Sequence, residues 1–144
     1  MRGVHIVFSE HEQVCIKDII NGIQLDGKKI IIPDSIVYRK DKAGELPRIC
    51  DIRYLWKLGS ECSVVNAIIK ICPEFYEDVH INTYEDFCNS SYDMLILIYD
   101  YSFYEIYTKN ESDIFRIVKN VDRMNTIEIL IKTDSTDMRK VMLV

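Results

Sequence analysis

The sequence has few residues that interrupt secondary structure, since its 144 residues include only five glycines and three prolines. It contains no low-complexity tract and no internal repeat. These absences exclude a long flexible linker or an array of repeated units. A chain of this length ordinarily forms one domain, so we expect a single α+β domain over residues 1–144.

Long apolar stretches are also missing. The longest unbroken run is Met94 to Ile98, far shorter than the roughly 20 residues that a membrane-spanning helix needs. The first residues lack the basic segment and the apolar stretch of about 7–15 residues that mark a signal peptide. We therefore expect a cytoplasmic protein that has no membrane partner.

Residues with the spacing of a metal or cofactor site are absent as well. The five cysteines are scattered without a CxxC pair, and their spacing nominates none of them as a partner of His5, His11 or His80. In a reducing compartment such cysteines are best interpreted as small buried hydrophobes. No glycine-rich phosphate loop of the GxGxxG or GxxxxGK[ST] type occurs. We expect no cofactor, no metal and no catalytic residue.

Charge is present but unevenly distributed. The net charge is −5, yet residues 28–57 hold eight Lys/Arg against four Asp/Glu. Residues 74–113 hold ten Asp/Glu against Lys109 alone. Such a field repels phosphate backbones and steers basic molecules toward the acidic half. It excludes nucleic acid as the expected partner and favours a basic protein, unless the acidic face serves only solubility.

Hydrophobic periodicity indicates the secondary structure. It predicts strands at residues 4–8, 28–32, 36–40, 93–98, 103–108, 126–132 and 138–144. It predicts helices from a Ser9–Glu12 capping box to Ile23, from Ser60 to Cys72, after Thr83, and after Asn110 or Ser112. In the least legible stretch, residues 41–60, "DKAGELP" (41–47) indicates an exposed loop, and "RYLWKLGS" (53–60) fits either a helical turn or a strand. The pattern favours an α+β fold with a mostly antiparallel sheet of about six or seven strands and two to four packed helices.

The hairpin after Met94 is the most distinctive segment. The run to Ile98 is apolar on both faces, which predicts a central strand. On the next strand, alternation separates Tyr104 and Ile106 from Phe103, Glu105 and Tyr107. Because a bare carboxylate in a core costs several kcal/mol, we expect the Glu105 face to be the wetter one.

A binding surface on this hairpin is the leading hypothesis. We expect a non-enzymatic protein-binding module, of a regulatory or immunity type, whose acidic and aromatic side chains contact a basic protein. The candidate partner-binding residues are Asp100, Tyr101, Phe103, Glu105 and Tyr107.

Three alternatives are weighed against this hypothesis. A small enzyme of unrecognised type would have its site near His80, Tyr84 and Asp86, and a purely structural role would involve a homo-oligomer. A restriction-type nuclease is disfavoured, because Glu128 and Lys132 lie roughly 13 Å apart along one strand.

Four segments in order resemble a known family: "TYEDF" (83–87), "MLILIYD" (94–100), "YEIYTK" (104–109) and "KTDSTDMR" (132–139), after an "MRGV" opening. The chain resembles small uncharacterised proteins of spore-forming Gram-positive bacteria, grouped as a domain of unknown function. The similarity covers about residues 1–23 and 79–144. The resemblance implies no known activity, so it transfers no catalytic residue to this chain.

Overall fold

A computed structural model describes residues 1–75, 77–142 and 144, and its centre is one antiparallel sheet. The strands in it are β1 (Gly3–Phe8), β2 (Lys29–Arg39), β3 (Lys42–Gly44), β4 (Ile49–Asp51), β5 (Ser63–Cys72), β6 (Met94–Tyr99), β7 (Phe103–Thr108) and β8 (Thr126–Lys132). Their order is β3-β2-β5-β6-β7-β1-β8, and β4 pairs with the start of β2. The predicted α+β fold class is confirmed.

Helices cover both faces of the sheet. They are α1 (Ile16–Ile19), α2 (Tyr84–Asn89), α3 (Glu111–Val121) and a 3₁₀ helix (Ile52–Lys57). On the first face, α1, α3 and the 3₁₀ helix pack over a large core that includes Ile6, Ile96 and Ile106. On the second face, α2 and the C-terminal segment pack over a smaller core around Leu95 and Tyr107. Strand β6 is therefore buried on both sides, as its continuous apolar run predicts.

The helix predicted from Ser60 to Cys72 is wrong, because these residues form β5. The strand lies between β2 and β6, so it needs apolar side chains on both faces. Ile69 and Ile71 face the first core, while Ile68 and Cys72 face the second. A strand that is apolar on both faces also places apolar residues three and four positions apart, which imitates a helix. Its β-branched side chains favour the extended form.

Four smaller differences between prediction and structure concern β2, the start of α1, residues 138–144 and the stretch 41–60. Residues 29–39 form one strand, β2, instead of the two strands predicted at 28–32 and 36–40. Its register with β5 is irregular between Ile31 and Asp34, which is where a sheet tolerates proline. Helix α1 has four residues and no Ser9 cap, since the Ser9 hydroxyl donates to the Asn125 carbonyl. No strand forms in the described part of residues 138–144, and Leu143 lies outside the described residues. The stretch 41–60 contributes β3 where a loop was expected, then β4, and a 3₁₀ helix over the part expected to be a helical turn or a strand.

Two predicted helix starts are confirmed. The Thr83 side chain accepts from the Asp86 amide while Asp86 accepts from the Thr83 amide, which is a full capping box for α2. The Asn110 side chain accepts from the Ser112 amide at the start of α3. These caps fix where α2 and α3 begin on opposite faces of the sheet.

Candidate functional site

A network of buried charges lies on the second face beneath the C-terminal segment. We call it the buried ion network, and its members are Glu105, Tyr107, Lys132, Asp137 and Arg139. Lys132 is its centre. The Nζ atom of Lys132 lies 2.6 Å from Glu105 Oε1, 2.9 Å from Asp137 Oδ1 and 2.9 Å from the Tyr107 hydroxyl. An ammonium has three N–H donors, so these three acceptors satisfy it completely.

The two carboxylates of the network are also well supplied with donors. Asp137 accepts from Lys132, from the Tyr107 hydroxyl at 3.1 Å and from the Arg139 amide at 3.2 Å. Burial alone would raise the pKa of the Asp137 carboxyl, but the hydrogen bonds from Lys132 and the Arg139 amide hold that pKa below its ordinary value. Glu105 accepts from the Arg139 guanidinium and lies 3.4 Å from the His5 imidazole.

The N-terminus joins the same network from β1. Arg2 reaches Asp134 at 2.9 Å and Asp137 at 3.5 Å, and its guanidinium lies 4.2 Å from the centre of the Tyr84 ring. Tyr84 in turn packs on Tyr107 with 5.8 Å between ring centres. The motifs around residues 2, 84, 105 and 132–139, which are distant in sequence, therefore meet at one place.

This arrangement fixes the C-terminal segment to the sheet. Residues 133–142 form no strand with the sheet, and Asp137 and Arg139 attach the segment through their side chains. Buried charges offset the cost of losing water only when their partners are well placed. Removing one partner leaves the other charge uncompensated and destabilises the fold. We interpret the network as a structural clamp, because its contacts use every donor of Lys132.

The expectation that Glu105 and Tyr107 face solvent is wrong. Glu105 is 6% exposed and Tyr107 is 0% exposed. The expectation was based on the cost of burying a carboxylate without a partner. The Glu105 carboxylate has two partners, Lys132 and Arg139, which compensate its charge. Tyr104 and Ile106 are buried on the first face as expected, and Tyr101 is exposed at the turn.

The remaining candidates, Asp100, Tyr101 and Phe103, line a surface groove of about 670 Å³ at the tip of the β6–β7 hairpin. We call it the hairpin groove; its lining residues are Val7, Phe8, Glu10, Glu12, Ser63, Asp100, Tyr101, Ser102, Phe103 and Ile127. Three of these residues are acidic and none is basic. The structure thus adds Glu10 and Glu12, which lie about 90 residues before the hairpin in sequence, to the predicted residues.

The tip of the hairpin is held in an unfavourable backbone conformation. Asp100 and Tyr101 have φ angles of 51° and 62°, a left-handed region that costs residues other than glycine roughly 1–2 kcal/mol each. The Tyr101 amide donates to the Val65 carbonyl at 3.1 Å, and the Phe8 amide donates to the Ser102 carbonyl at 2.9 Å. These bonds to neighbouring strands fix Tyr101 in a position where it is 47% exposed.

The alternative site near His80 is only partly assembled. His80 and Asp86 line an open cavity of about 560 Å³, whereas Tyr84 is not among its lining residues. The Asp86 carboxylate accepts hydrogen bonds from the backbone amides of Thr83 and Asn82, and these bonds lower the pKa of the carboxyl. Burial raises the pKa of Tyr84 to about 12. Two of the three residues therefore share a surface, and one of them serves as a helix cap.

Two further searches concern metals and membranes. Across residues 1–75, 77–142 and 144, no group of three His, Cys, Asp or Glu side chains is placed to hold a metal ion. None of the helices in that part of the chain is long and apolar enough to cross a membrane.

The fold and the site together define a small α+β protein with a clamped C-terminal segment. The chain matches a family model described as "Protein of unknown function (DUF2691)" over residues 1–143, and it belongs to that family. The match includes residues 24–78, which the resemblance seen in the sequence left out. No curated protein and no solved structure matches the chain.

Proposed function

We propose that this protein is a cytoplasmic, non-enzymatic binding module that holds a basic segment of another protein in the hairpin groove. The observation that carries the proposal is the composition of the groove. Its described lining residues include three carboxylates and the exposed ring of Tyr101, and none of them is a lysine or an arginine. Carboxylates at a groove accelerate the encounter with a basic partner and reject an acidic one. The same carboxylates disfavour a nucleic-acid backbone.

The aromatic residues supply the anchor in this proposal. A tyrosine offers a large contact area and loses little conformational entropy, and such residues dominate the binding energy of protein interfaces. Tyr101 is held by backbone hydrogen bonds in a strained conformation, and strain of this kind concentrates at functional sites. The neighbouring Ile127 is 70% exposed, so the groove has an apolar wall for the aliphatic part of a lysine or arginine side chain.

The first experiment selects peptides from a displayed random library on the immobilised protein. The proposal expects enrichment of sequences with two or more Lys/Arg beside an apolar residue. A variant that combines Glu10→Lys and Asp100→Lys should lose this enrichment. The control combines Glu45→Lys and Asp122→Lys, two exposed acids outside the groove, and it makes the same change in net charge. Enrichment that is equal in both variants, or enrichment of acidic peptides, would contradict the proposal.

A second copy of the chain is the other basic candidate, because residues 28–57 carry an excess of four positive charges. Sedimentation velocity at low salt distinguishes the two occupants. The proposal expects a monomer at micromolar concentration. Self-association that disappears in the Glu10→Lys/Asp100→Lys variant would assign the groove to a second copy and overturn the proposed foreign partner.

A further inference from the structure

A third cavity, more enclosed than the hairpin groove, lies between the second face of the sheet and the C-terminal segment. Its volume is about 160 Å³. The residues that line it are Pro33, Asp34, Ile68, Lys70, His80, Ile81, Leu95, Leu97 and Met142. Most of the wall is therefore aliphatic, and the charged residues in it are few enough to define the chemistry of an occupant.

Lys70 is the unusual residue of this wall. It is 5% exposed, and its Nζ atom donates to the Val79 carbonyl at 3.0 Å. The nearest carboxylate oxygen, on Asp78, is 4.0 Å away and accepts a hydrogen bond from the Tyr92 hydroxyl at 2.9 Å. Among the described residues, Lys70 thus has one hydrogen bond for three donors, and its Nζ atom also lies 5.1 Å from the centre of the Tyr92 ring; Lys132, by contrast, has three acceptors.

A lysine in these surroundings is costly to keep charged. A buried charge needs an anion and further hydrogen bonds to offset the water it has lost. Burial lowers the pKa of Lys70, which has the sign expected when desolvation outweighs the attraction of a distant carboxylate. An anion that entered the cavity would supply the missing acceptor.

We propose that this cavity binds a small aliphatic carboxylate, with the carboxylate on the Lys70 ammonium and the hydrocarbon against Ile68, Leu95 and Leu97. The volume fixes the size, since a cavity of roughly 150 Å³ takes a molecule as large as benzene. The ligand accordingly has about six or seven non-hydrogen atoms, the size of a branched four- or five-carbon acid. This site is separate from the hairpin groove, so it stands or falls independently of the proposed binding function.

Two sources share this chemistry, namely a free short-chain acid and an aliphatic amino acid. Asp34 distinguishes them. It lies opposite Ile68 in the β2–β5 pairing and lines the same cavity. Its exposed carboxylate can accept a hydrogen bond from the α-ammonium group, which an amino acid has and a free acid lacks. Preference for 2-aminobutyrate, an amino acid of seven non-hydrogen atoms, that is lost in Asp34→Asn would identify an amino acid, and preference for isovalerate would identify a free acid.

The test measures thermal unfolding with isovalerate, 2-aminobutyrate or isopentanol. Isopentanol has the branched chain of isovalerate without the carboxylate. At tenfold excess over its Kd, a bound carboxylate should raise the melting temperature by about 3–6 °C. Isopentanol should bind at least tenfold more weakly. Methyl resonances of Ile68, Leu95 and Leu97 should shift with the carboxylate, which locates the effect in the cavity.

Variants separate this proposal from general stabilisation. Lys70→Met keeps the length of the side chain and should abolish the carboxylate effect, while Leu97→Phe should fill the cavity and abolish binding of all three compounds. Lys119→Met makes the same substitution on the exposed side of α3 and should change nothing. The proposal is overturned if neither carboxylate shifts these methyl resonances, if isopentanol binds equally well, or if Lys70→Met binds as the wild type does.

Discussion

The ammonium of Lys132 lies 2.6 Å from the carboxylate of Glu105 although their strands, β8 and β7, do not pair with each other. Strand β1 separates them, and in it Gly3 lies between Lys132 on one side and Tyr107 on the other. Glycine has no side chain there, so the lysine side chain can extend over β1 to the Tyr107 hydroxyl and Glu105. The "MRGV" opening and the "KTDSTDMR" motif are therefore parts of one structural feature.

Replacing Glu105 by glutamine should lower the free energy of unfolding by about 3 kcal/mol, because it removes the buried negative charge that Lys132 and Arg139 share and leaves Lys132 with Asp137 alone. Urea unfolding at neutral pH measures the effect. Glu128→Gln is the control, since this carboxylate is more than half exposed and also contacts His5; it should cost less than about 1 kcal/mol. Equal, small losses in both variants would show that the network contributes nothing.

Replacing Gly3 by alanine should be costly for a different reason. A Cβ atom at this position would overlap the carbonyl oxygen of Ile106 on the paired strand, so we expect a loss of roughly 1–3 kcal/mol from overpacking. Gly44→Ala provides the control in the same sheet, because a Cβ atom there meets open space. A Gly3 variant as stable as the Gly44 variant would contradict the close approach of β1 and β7.

The stability contributed by Asp137 should depend on pH. Its folded-state pKa lies below the ordinary value of 3.8, so on acidification the unfolded chain takes up this proton first. The contribution is complete above about pH 5 and is lost as the pH falls through the folded-state pKa. The difference in unfolding free energy between wild type and Asp137→Asn should hence be constant from pH 5 to 7 and shrink toward pH 2. A difference that grows on acidification would show that the pKa is raised.

Sequence patterns predicted the elements whose signals are local. The capping box at Thr83 and the apolar run of β6 depend on residues within a few positions of each other, and both were confirmed. Strand β5 was misassigned because a strand buried on both faces has no alternation, and only its neighbours β2 and β6 reveal why. The separation of residues 28–32 and 36–40 into two strands was wrong because a proline, here Pro33, can also lie at an irregularity within a long strand.

The site was harder to predict because its parts come from distant strands. Glu128 and Lys132 both lie in β8, but their spacing along this strand did not reveal that Lys132 pairs across β1 with Glu105. The burial of Glu105 could not be predicted without knowing that Lys132 and Arg139 pair with it. The concentration of charged and hydroxyl residues in "KTDSTDMR", just after a strand, was the available signal for the network.

Replacing Tyr101 by glycine should separate stability from binding. Glycine adopts the left-handed conformation at this turn without strain, so the free energy of unfolding should stay unchanged or rise by about 1 kcal/mol. Affinity for a selected basic peptide should fall at least tenfold, because the proposed anchor is gone. Tyr38→Gly is the control, since Tyr38 is an exposed tyrosine within β2; it should lose stability and keep affinity. The reverse pattern would place the anchor outside the hairpin.

The most direct test of the central claim is the affinity of a selected Lys/Arg-rich peptide, measured by fluorescence anisotropy as a function of salt. The wild-type protein should bind it with an affinity that decreases as salt increases. The Glu10→Lys/Asp100→Lys variant should bind at least tenfold more weakly at low salt, while Glu45→Lys/Asp122→Lys should bind as the wild type does. Equal weakening in the two charge-reversed variants would show that overall acidity, and not the hairpin groove, attracts the peptide, and would contradict the account.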